Sequence, residues 1–524
     1  MTLRAWRLPA ARSILASPFP GIARPIAISW ARSATLAVTV MALALRLLLW
    51  DRFPLREDEA LYAYWARVFL QEDPLLLAVW PDKPPLLIWL LAGGMALLGT
   101  GDAALRWLNI AASVLTVPLA GAAAQRLWGS PAAGLWAVLV LALNPYALSF
   151  APTVYTDPLL TLWGTAALAA VVRGRAGWAG ALLAAAVMTK QQGLFYVPLI
   201  VALTLGAPSR GKALLRLLGG SLLVVLPVLG WDSLRWTVAP SPWDLARRTY
   251  APLLWLPPTA WLPRTQAWAG LLWYLTGSWG VWLLLGAASV AAPGLTRRRP
   301  ALAWTLAWGA AVMAVHVVVS FQVWDRYLLP LAPWLAIVVA GPLAQATIRL
   351  RARRLGAVTV LGMILFGALL LPPAWRAAQG GYPIGADHGD YQGLHQAVAW
   401  VQAQPGPLVL YHQPLGWHYR HYLYHELQPA DVATAAPPRV ELRWFPSVAY
   451  LADNAAKTPY PPAYLVAPDW WAQRDLALHL AQRGLAVETQ LRAGRFTVLE
   501  IVHVPAGPCA WCVSRPRTLS GGTP

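Results

Sequence analysis

The stretch REDEALYAYWARVFLQEDPLLLAVWPDKPPL, from Arg56 to Leu86, begins as a polar loop and ends in an apolar segment of the chain. Only 22 of the 524 residues are Asp or Glu. Within this stretch, however, lie several of these acids and a lysine beside two prolines: Glu57, Asp58, Glu59, Glu72, Asp73, Asp82 and Lys83. In a chain with so few acids, their concentration in one loop indicates a functional role for that loop. The interpretation of the apolar segments must therefore account for the position of this loop.

The composition is that of an integral membrane protein. Hydrophobic residues make up 58% of the chain and charged residues 12%, with a mean hydropathy of +0.49. A soluble domain carries about 25% charged residues. The formal charge of +19 could indicate nucleic acid or acidic lipid. The arginines, however, lie in short loops between apolar segments, which is the topology signal of membrane proteins, so we expect no nucleic-acid partner.

Twelve apolar segments are candidate membrane helices, each of which needs about 20 residues, or fewer where the bilayer thins. They are 34–50, 84–99, 105–124, 131–150, 158–172, 176–189, 193–206, 214–232, 266–291, 301–320, 328–346 and 355–372.

The positive residues decide which segments cross. If 84–99 does not cross, the cytoplasmic stretches contain eighteen Lys or Arg and no acid. These stretches are 1–33, 125–130, 173–175, 207–216, 292–300 and 347–354. A crossing by 84–99 would place the later arginine clusters outside. The segment 84–99 is therefore predicted to be a juxtamembrane helix, and the break at 189–193 is predicted to be a short outer hairpin with Lys190 at its tip.

These choices predict a mostly α polytopic membrane protein with about eleven transmembrane helices, a cytoplasmic amino terminus and an extracytoplasmic carboxyl terminus. The transmembrane domain covers 34–375, with a first outer loop at 51–104. Charged and turn residues then alternate with short strand-like runs such as GPLVLYH, PAYLVAP and GRFTVLEIV. They predict a small α/β domain over 376–505, followed by a disordered tail at 506–524.

The predicted topology gathers polar residues from several outer loops at one membrane face: Asp58, Glu59, Asp82, Lys83, Asp157, Lys190, Asp325 and Arg326. Carboxylates can act as general bases when they reach the proton that is removed. Cations can stabilise the charge that develops on a departing phosphate. The combination favours a reaction with a base and a phosphate leaving group at the edge of a bilayer.

Five motifs follow one another along the chain, and their order is characteristic. They are DEALYAYWARVFL at Asp58, DKPPLLIWLL at Asp82, YTDPLL at Asp157, MTKQQG at Lys190 and DRYLLPLAPWLAI at Asp325. Together they resemble the family 39 glycosyltransferases of the GT-C superfamily. That family includes protein O-mannosyltransferases and the aminoarabinose transferase of lipid A. The resemblance covers residues 46 to about 335. The WWDYG motif of oligosaccharyltransferases is lacking, because Trp470-Trp471 is followed by Ala472.

The resemblance implies an inverting glycosyltransferase that takes its sugar from a polyprenyl-phosphate-linked donor. Asp58 would be the catalytic base, with Asp157 as a second catalytic acid that binds acceptor, binds a metal or orients a partner. The residues expected to bind substrate are Glu59, Asp82, Lys83, Lys190, Arg326 and Tyr327. No cofactor is implied with certainty, and a divalent metal stays open. The acceptor could be a lipid, a glycan or a protein.

Simpler roles remain open for several of these residues. Asp58 could cap a helix, Lys83 could anchor a helix at the head groups, and Arg46 is expected to snorkel outward from the first span. A transporter or lipid flippase is the alternative function. Transporters tend to contain paired repeats with sites at the midplane, and no repeat is visible in this chain.

Two further groups could suggest metal or redox chemistry. His418, His421 and His425 would share one helix face, but no separate ligand loop accompanies them. Cys509 and Cys512 form CAWC in the predicted tail rather than at the start of a helix. We expect a packed or substrate-facing helix of histidines and aromatic residues, and a local disulfide or idle thiols.

Overall fold

The computed structural model describes residues 24–50, 52–250, 253–276, 299–352, 356–385, 387, 389–428, 437–457, 461–471 and 475–504. The chain divides into two compact units. We call Met1–Arg52 with Tyr62–His388 the helical unit, and Phe53–Leu61 with Gly389–Pro524 the sheet unit. The predicted tail and both cysteines lie outside the described residues.

Helices dominate the first unit because a helix satisfies its own backbone hydrogen bonds, which a bilayer requires. In chain order the helices are α1 (Arg24–Leu47), α2 (Glu57–Gln71), α3 (Leu86–Leu98), α4 (Asp102–Trp128), α5 (Pro131–Ala142), α6 (Pro145–Phe150), α7 (Asp157–Val171), α8 (Ala176–Thr189), α9 (Tyr196–Leu205), α10 (Arg210–Ser233), α11 (Pro242–Tyr250), α12 (Pro258–Thr276), α13 (Pro300–Val318), α14 (Leu331–Ala352) and α15 (Gly356–Ala378). The first residues of α2 belong to the sheet unit.

Four stretches of the described helices are long and apolar enough to cross a membrane: Asp102–Trp128, Arg210–Ser233, Pro300–Val318 and Leu331–Arg349. Six shorter apolar helices accompany them. The predicted mostly helical, polytopic fold class is therefore confirmed, while the count of eleven spans and their orientation stay predictions. The predicted span 266–291 begins in α12, and its second half lies outside the described residues.

The segment 131–150, predicted as one span, is two helices. Pro145 disfavours helical geometry at Asn144, which has extended backbone angles and accepts a hydrogen bond from the Ala147 N–H with its side chain. Asn144 thereby caps α6 where α5 has ended. Helix α3 has 13 residues, a length of about 20 Å against an apolar bilayer core of about 30 Å. Helices α7, α8 and α9, which lie in predicted spans, are of similar length, so the juxtamembrane placement of α3 stays a prediction.

Glycines allow α8 and α10 to pack closely. A Cβ on Gly180 would collide with the carbonyl oxygen of Leu217, and one on Gly220 would collide with that of Gly177. Small residues at such crossings let helix backbones approach each other, as is common in membrane proteins. The close packing fixes α8, whose last residue directly precedes Lys190.

The sheet unit contains a five-stranded sheet of order β2-β1-β3-β5-β4. Its strands are β1 (Leu408–His412), β2 (Val440–Trp444), β3 (Ala463–Pro468), β4 (Leu485–Ala493) and β5 (Phe496–His503). Its helices are α16 (Leu394–Ala403), α17 (Gly416–Tyr422), α18 (Val448–Ala456) and α19 (Leu476–Ala481). Strands β1, β2 and β3 are parallel, and β5 pairs antiparallel with β3 and β4.

Both faces of this sheet are covered. Leu408 and Leu410 belong to one buried apolar cluster, whereas Val409 and Tyr411 belong to a second. This alternation follows from the two-residue period of a strand. The three strand-like runs of the sequence are β1, β3 and β5, and the two unpredicted strands, β2 and β4, are the edges of the sheet. Edge strands carry charges that interrupt an apolar pattern.

Candidate active site

Helix α2 begins with three acids in its first turn, Glu57, Asp58 and Glu59, where the helix dipole stabilises negative charge. Glu59 is fully buried. Its Oε2 atom accepts a hydrogen bond of 2.9 Å from the Arg56 N–H and lies 3.3 Å from the Arg56 guanidinium. This contact is half of a capping box. Glu59 therefore stabilises the start of α2, while Asp58 is partly exposed.

Lys83 lies in a three-way contact with Asp82 and Tyr250. Its Nζ atom is 2.6 Å from Oδ2 of Asp82 and donates a hydrogen bond of 2.6 Å to the Tyr250 hydroxyl. The same hydroxyl donates to Asp82 at 2.9 Å. Lys83 is only 7% exposed, which argues against a role as a snorkelling anchor. Tyr250, the last residue of α11, is a site residue that the sequence analysis missed.

Asp157 and Lys190 form a buried ion pair, with 2.7 Å between Oδ1 and Nζ. Asp157 is the first residue of α7, where Pro158 supports the helix start. Lys190 has extended backbone in the break between α8 and the 3₁₀ turn Gln191–Phe195. The side chain of Gln191 donates to the Asp82 carbonyl oxygen at 2.8 Å. This bond ties the break to the loop that carries Lys83.

The 3₁₀ turn Asp325–Leu328 contributes the remaining cation. Asp325 accepts hydrogen bonds of 2.7 Å from the N–H groups of Arg326 and Gly385, which fix the turn. The Arg326 guanidinium lies over the Tyr155 ring, 4.8 Å from its centroid. The Nζ atom of Lys190 lies 4.5 Å from the centroid of the Tyr327 ring. Arg326 and Tyr327 therefore belong to the surroundings of the Asp157–Lys190 pair.

Direct contacts link these groups. Tyr327 lies against Lys190, which is paired with Asp157, and Gln191 joins the break at Lys190 to the loop of Asp82 and Lys83. Burial raises the pKa of Tyr327 to about 12. The helical unit thus brings together most of the predicted site: Asp82, Lys83, Asp157, Lys190, Arg326 and Tyr327. Asp58 and Glu59 lie in the sheet unit.

Arg46 does not snorkel outward as expected. It is 1% exposed, and its guanidinium donates to the Ser113 hydroxyl at 2.8 Å and to the carbonyl oxygens of Ala42 and Ala142. Polar partners on neighbouring helices make burial favourable, so the side chain need not reach the head groups. Arg46 therefore holds α1 against α4 and α5.

The structure offers no metal site among the residues that it describes, since no group of three His, Cys, Asp or Glu could hold an ion. His418 and His421 are buried in α17, and His425 lies beyond the end of that helix and is exposed. The first two of these histidines are therefore packed, which is one of the two alternatives expected from the sequence.

Comparison with known proteins relates this part of the chain to a family of sugar-transferring enzymes. Residues 82–231, which include Lys83, Asp157 and Lys190, match the family model of dolichyl-phosphate-mannose-protein mannosyltransferases. A search of curated protein sequences gave no significant match.

The fold is similar to that of ArnT from Cupriavidus metallidurans. The TM-score is 0.57 for ArnT bound to undecaprenyl phosphate and 0.59 for its apo state, each at 20% identity over 91% of this chain and 98% of that chain. The archaeal oligosaccharyltransferase AglB from Archaeoglobus fulgidus, in complex with an inhibitory peptide and a dolichol-phosphate, gives 0.55 at 14% identity over 90% and 74% of the two chains. The chain is therefore a multi-pass membrane protein that resembles a mannosyltransferase family over residues 82–231 and shares the fold of ArnT and AglB.

Proposed function

We propose that this protein transfers a sugar from a polyprenyl-phosphate-linked donor to an acceptor hydroxyl, with inversion, at the extracytoplasmic face of the cell membrane. The observation that carries the proposal is the cluster of Lys83, Lys190 and Arg326 in the helical unit. Each cation has a fixed position, through an acid or an aromatic ring. Preorganised cations of this kind stabilise a leaving phosphate.

Further support comes from the relatives. ArnT was solved with undecaprenyl phosphate and AglB with a dolichol-phosphate, and both ligands are lipid phosphates. In the proposed reaction Asp58 accepts the proton of the acceptor hydroxyl. The hydroxyl oxygen bonds to the anomeric carbon as the bond from that carbon to the phosphate oxygen breaks. The phosphate leaves with the electron pair and is stabilised by the three cations.

In this proposal, the two acids next to the cations position those cations and do not accept the proton. Asp157 and Asp82 hold Lys190 and Lys83 in place, and Tyr327 lies beneath Lys190. Glu59 supports Asp58 by capping the shared helix. A divalent cation is not part of the proposal, because Asp157 already binds Lys190 and the described residues offer no three-ligand group.

The test is to incubate the purified protein with a panel of polyprenyl-phospho-sugars and acceptors that carry hydroxyl groups. We expect release of polyprenyl phosphate together with a glycosylated acceptor from the parent protein, and neither product from the Asp58→Asn variant. A transporter or flippase would leave the donor chemically intact. If no donor in the panel is cleaved while the protein moves one across vesicles, the proposed function is wrong.

A further inference from the structure

The segment that carries Asp58, Phe53–Leu61, belongs to the sheet unit, and its residue Leu55 contacts two side chains of α17. The Leu55 N–H donates a hydrogen bond of 2.9 Å to the Tyr422 hydroxyl. The Leu55 carbonyl oxygen lies 3.1 Å from Nε2 of His418. Leu55 is fully buried, so these two side chains satisfy both polar groups of a backbone position that lacks access to water. Leaving either group unsatisfied would be costly.

The chemistry of the two contacts assigns the donors. A carbonyl oxygen can only accept, so Nε2 of His418 must carry the hydrogen. The Tyr422 hydroxyl accepts from Leu55 and can give its own hydrogen to Nε2 of His395, which lies 3.3 Å away. The Tyr391 ring packs on the His418 ring with 4.7 Å between the centroids. The two side chains that hold Leu55 are thus themselves held in place.

Leu55 directly precedes the cap of α2. The next residue, Arg56, donates its N–H to Glu59, and Asp58 lies between them in the first turn. Two backbone bonds at Leu55 and the cap at Arg56 hold the backbone directly before α2. They therefore constrain the first turn of α2, which carries Asp58.

We propose that α17 is a positioning element of the active site, in which Tyr422 and His418 fix the placement of Asp58. This proposal rests on the proposed function, because Asp58 is the base of that reaction. A general base must lie within hydrogen-bond reach of its proton, and a misplacement of about 1 Å can cost about a hundredfold in rate. Tyr422 and His418 act through Leu55 and are positioning residues.

The test compares two Tyr→Phe substitutions in the same helix. Tyr422→Phe removes the acceptor of the Leu55 N–H and keeps the ring. Tyr419→Phe is the matched control: Tyr419 is fully buried in α17, and within the described residues its hydroxyl has no hydrogen-bond partner. We expect Tyr422→Phe to lower kcat about ten- to a hundredfold with the donor KM unchanged, and to lower the Tm slightly because the buried Leu55 N–H loses its acceptor. Tyr419→Phe should retain the parent kcat.

A second measurement does not depend on activity. Hydrogen–deuterium exchange of the peptide over 53–61 should be faster in Tyr422→Phe than in the parent and in Tyr419→Phe. If the parent transfers sugar and Tyr422→Phe matches its kcat, or if both variants lose the same activity, the positioning role is wrong. If the parent transfers no sugar, the proposed function fails. Unchanged exchange at Leu55 in Tyr422→Phe would then refute the positioning contact on its own.

Discussion

The ammonium of Lys190 lies 2.7 Å from the carboxylate of Asp157, and neither side chain is more than 6% exposed. The pair joins the start of α7 to the end of α8. Two opposite charges can be buried only because each neutralises the other, and removal of one partner leaves an uncompensated charge that costs about 3–5 kcal/mol. Under the proposed function, this position therefore contributes both to stability and to catalysis.

We expect Asp157→Asn and Lys190→Met each to lower the Tm of the detergent-solubilised protein. The double variant should recover most of the lost stability, because it buries no unpaired charge, and should still transfer little sugar, because it lacks one cation of the cluster. The measurement is a double-mutant cycle of thermal unfolding together with transfer rates. Additive losses of stability in the double variant would contradict the pairing.

Lys83→Ala is expected to weaken donor binding about ten- to a hundredfold, since a charge-assisted contact contributes about 1.5–3 kcal/mol. Equilibrium binding of a polyprenyl-phospho-sugar measures the loss. Tyr250→Phe is the companion variant, because it removes the hydroxyl that Lys83 contacts and leaves the charge. Its affinity for the donor should be higher than that of Lys83→Ala. Unchanged affinity in Lys83→Ala would reduce the lysine to a packing role.

Asp58→Asn and Glu59→Gln should have opposite effects. Asp58→Asn removes the proposed base, so kcat should fall about 10²–10⁴-fold at an unchanged Tm. Glu59→Gln weakens the buried contact with Arg56, so the Tm should fall while most of the transfer activity remains. Rates and unfolding of both purified variants provide the measurement. A Tm loss confined to Asp58→Asn would assign the capping role to Asp58 instead.

The orientation can be tested by cysteine labelling after Cys509 and Cys512 have been replaced. The predicted topology places Trp80 outside and Ser209 inside, and both positions are exposed on the protein surface. A membrane-impermeant maleimide added to intact cells should label Trp80→Cys and not Ser209→Cys, and permeabilised cells should show both. Labelling of Ser209→Cys in intact cells would invert the predicted loops.

The sheet unit should lose stability in acid through His412. Burial, and to a lesser degree the positive charge of Arg420, lower the pKa of His412 to about 4, against about 6.5 in an unfolded chain. Because the folded state holds His412 neutral, this contribution to stability is complete above about pH 6.5 and is lost as the pH falls toward 4. Protection of strand β1 from hydrogen exchange, corrected for the intrinsic effect of pH on exchange, should fall between pH 7 and 5, and it should fall less in His412→Gln.

Much of this arrangement was predictable because acids and cations are rare in an apolar chain. Asp82, Lys83, Asp157 and Lys190 stand out in the sequence, and the structure places all of them in one cluster. Tyr250 and Tyr422 could not be found in this way, since the chain has 17 tyrosines and only the fold selects the two that matter. The prediction that the Arg46 side chain points outward was wrong for a similar reason. Its hydrogen-bond partner Ser113 lies on another helix, and the sequence does not show that the two are close.

The contact between Leu55 and Tyr422 also has a consequence for biosynthesis. The two residues are 367 positions apart. At about 5–20 residues per second, a ribosome needs roughly 20–70 s to make the chain between them. For most of that time the first outer loop is complete but lacks the side chains of α17 that contact Leu55. A nascent chain released after Arg326 and before Tyr422 would therefore carry every cation of the cluster but lack the Tyr422 contact with the segment of Asp58.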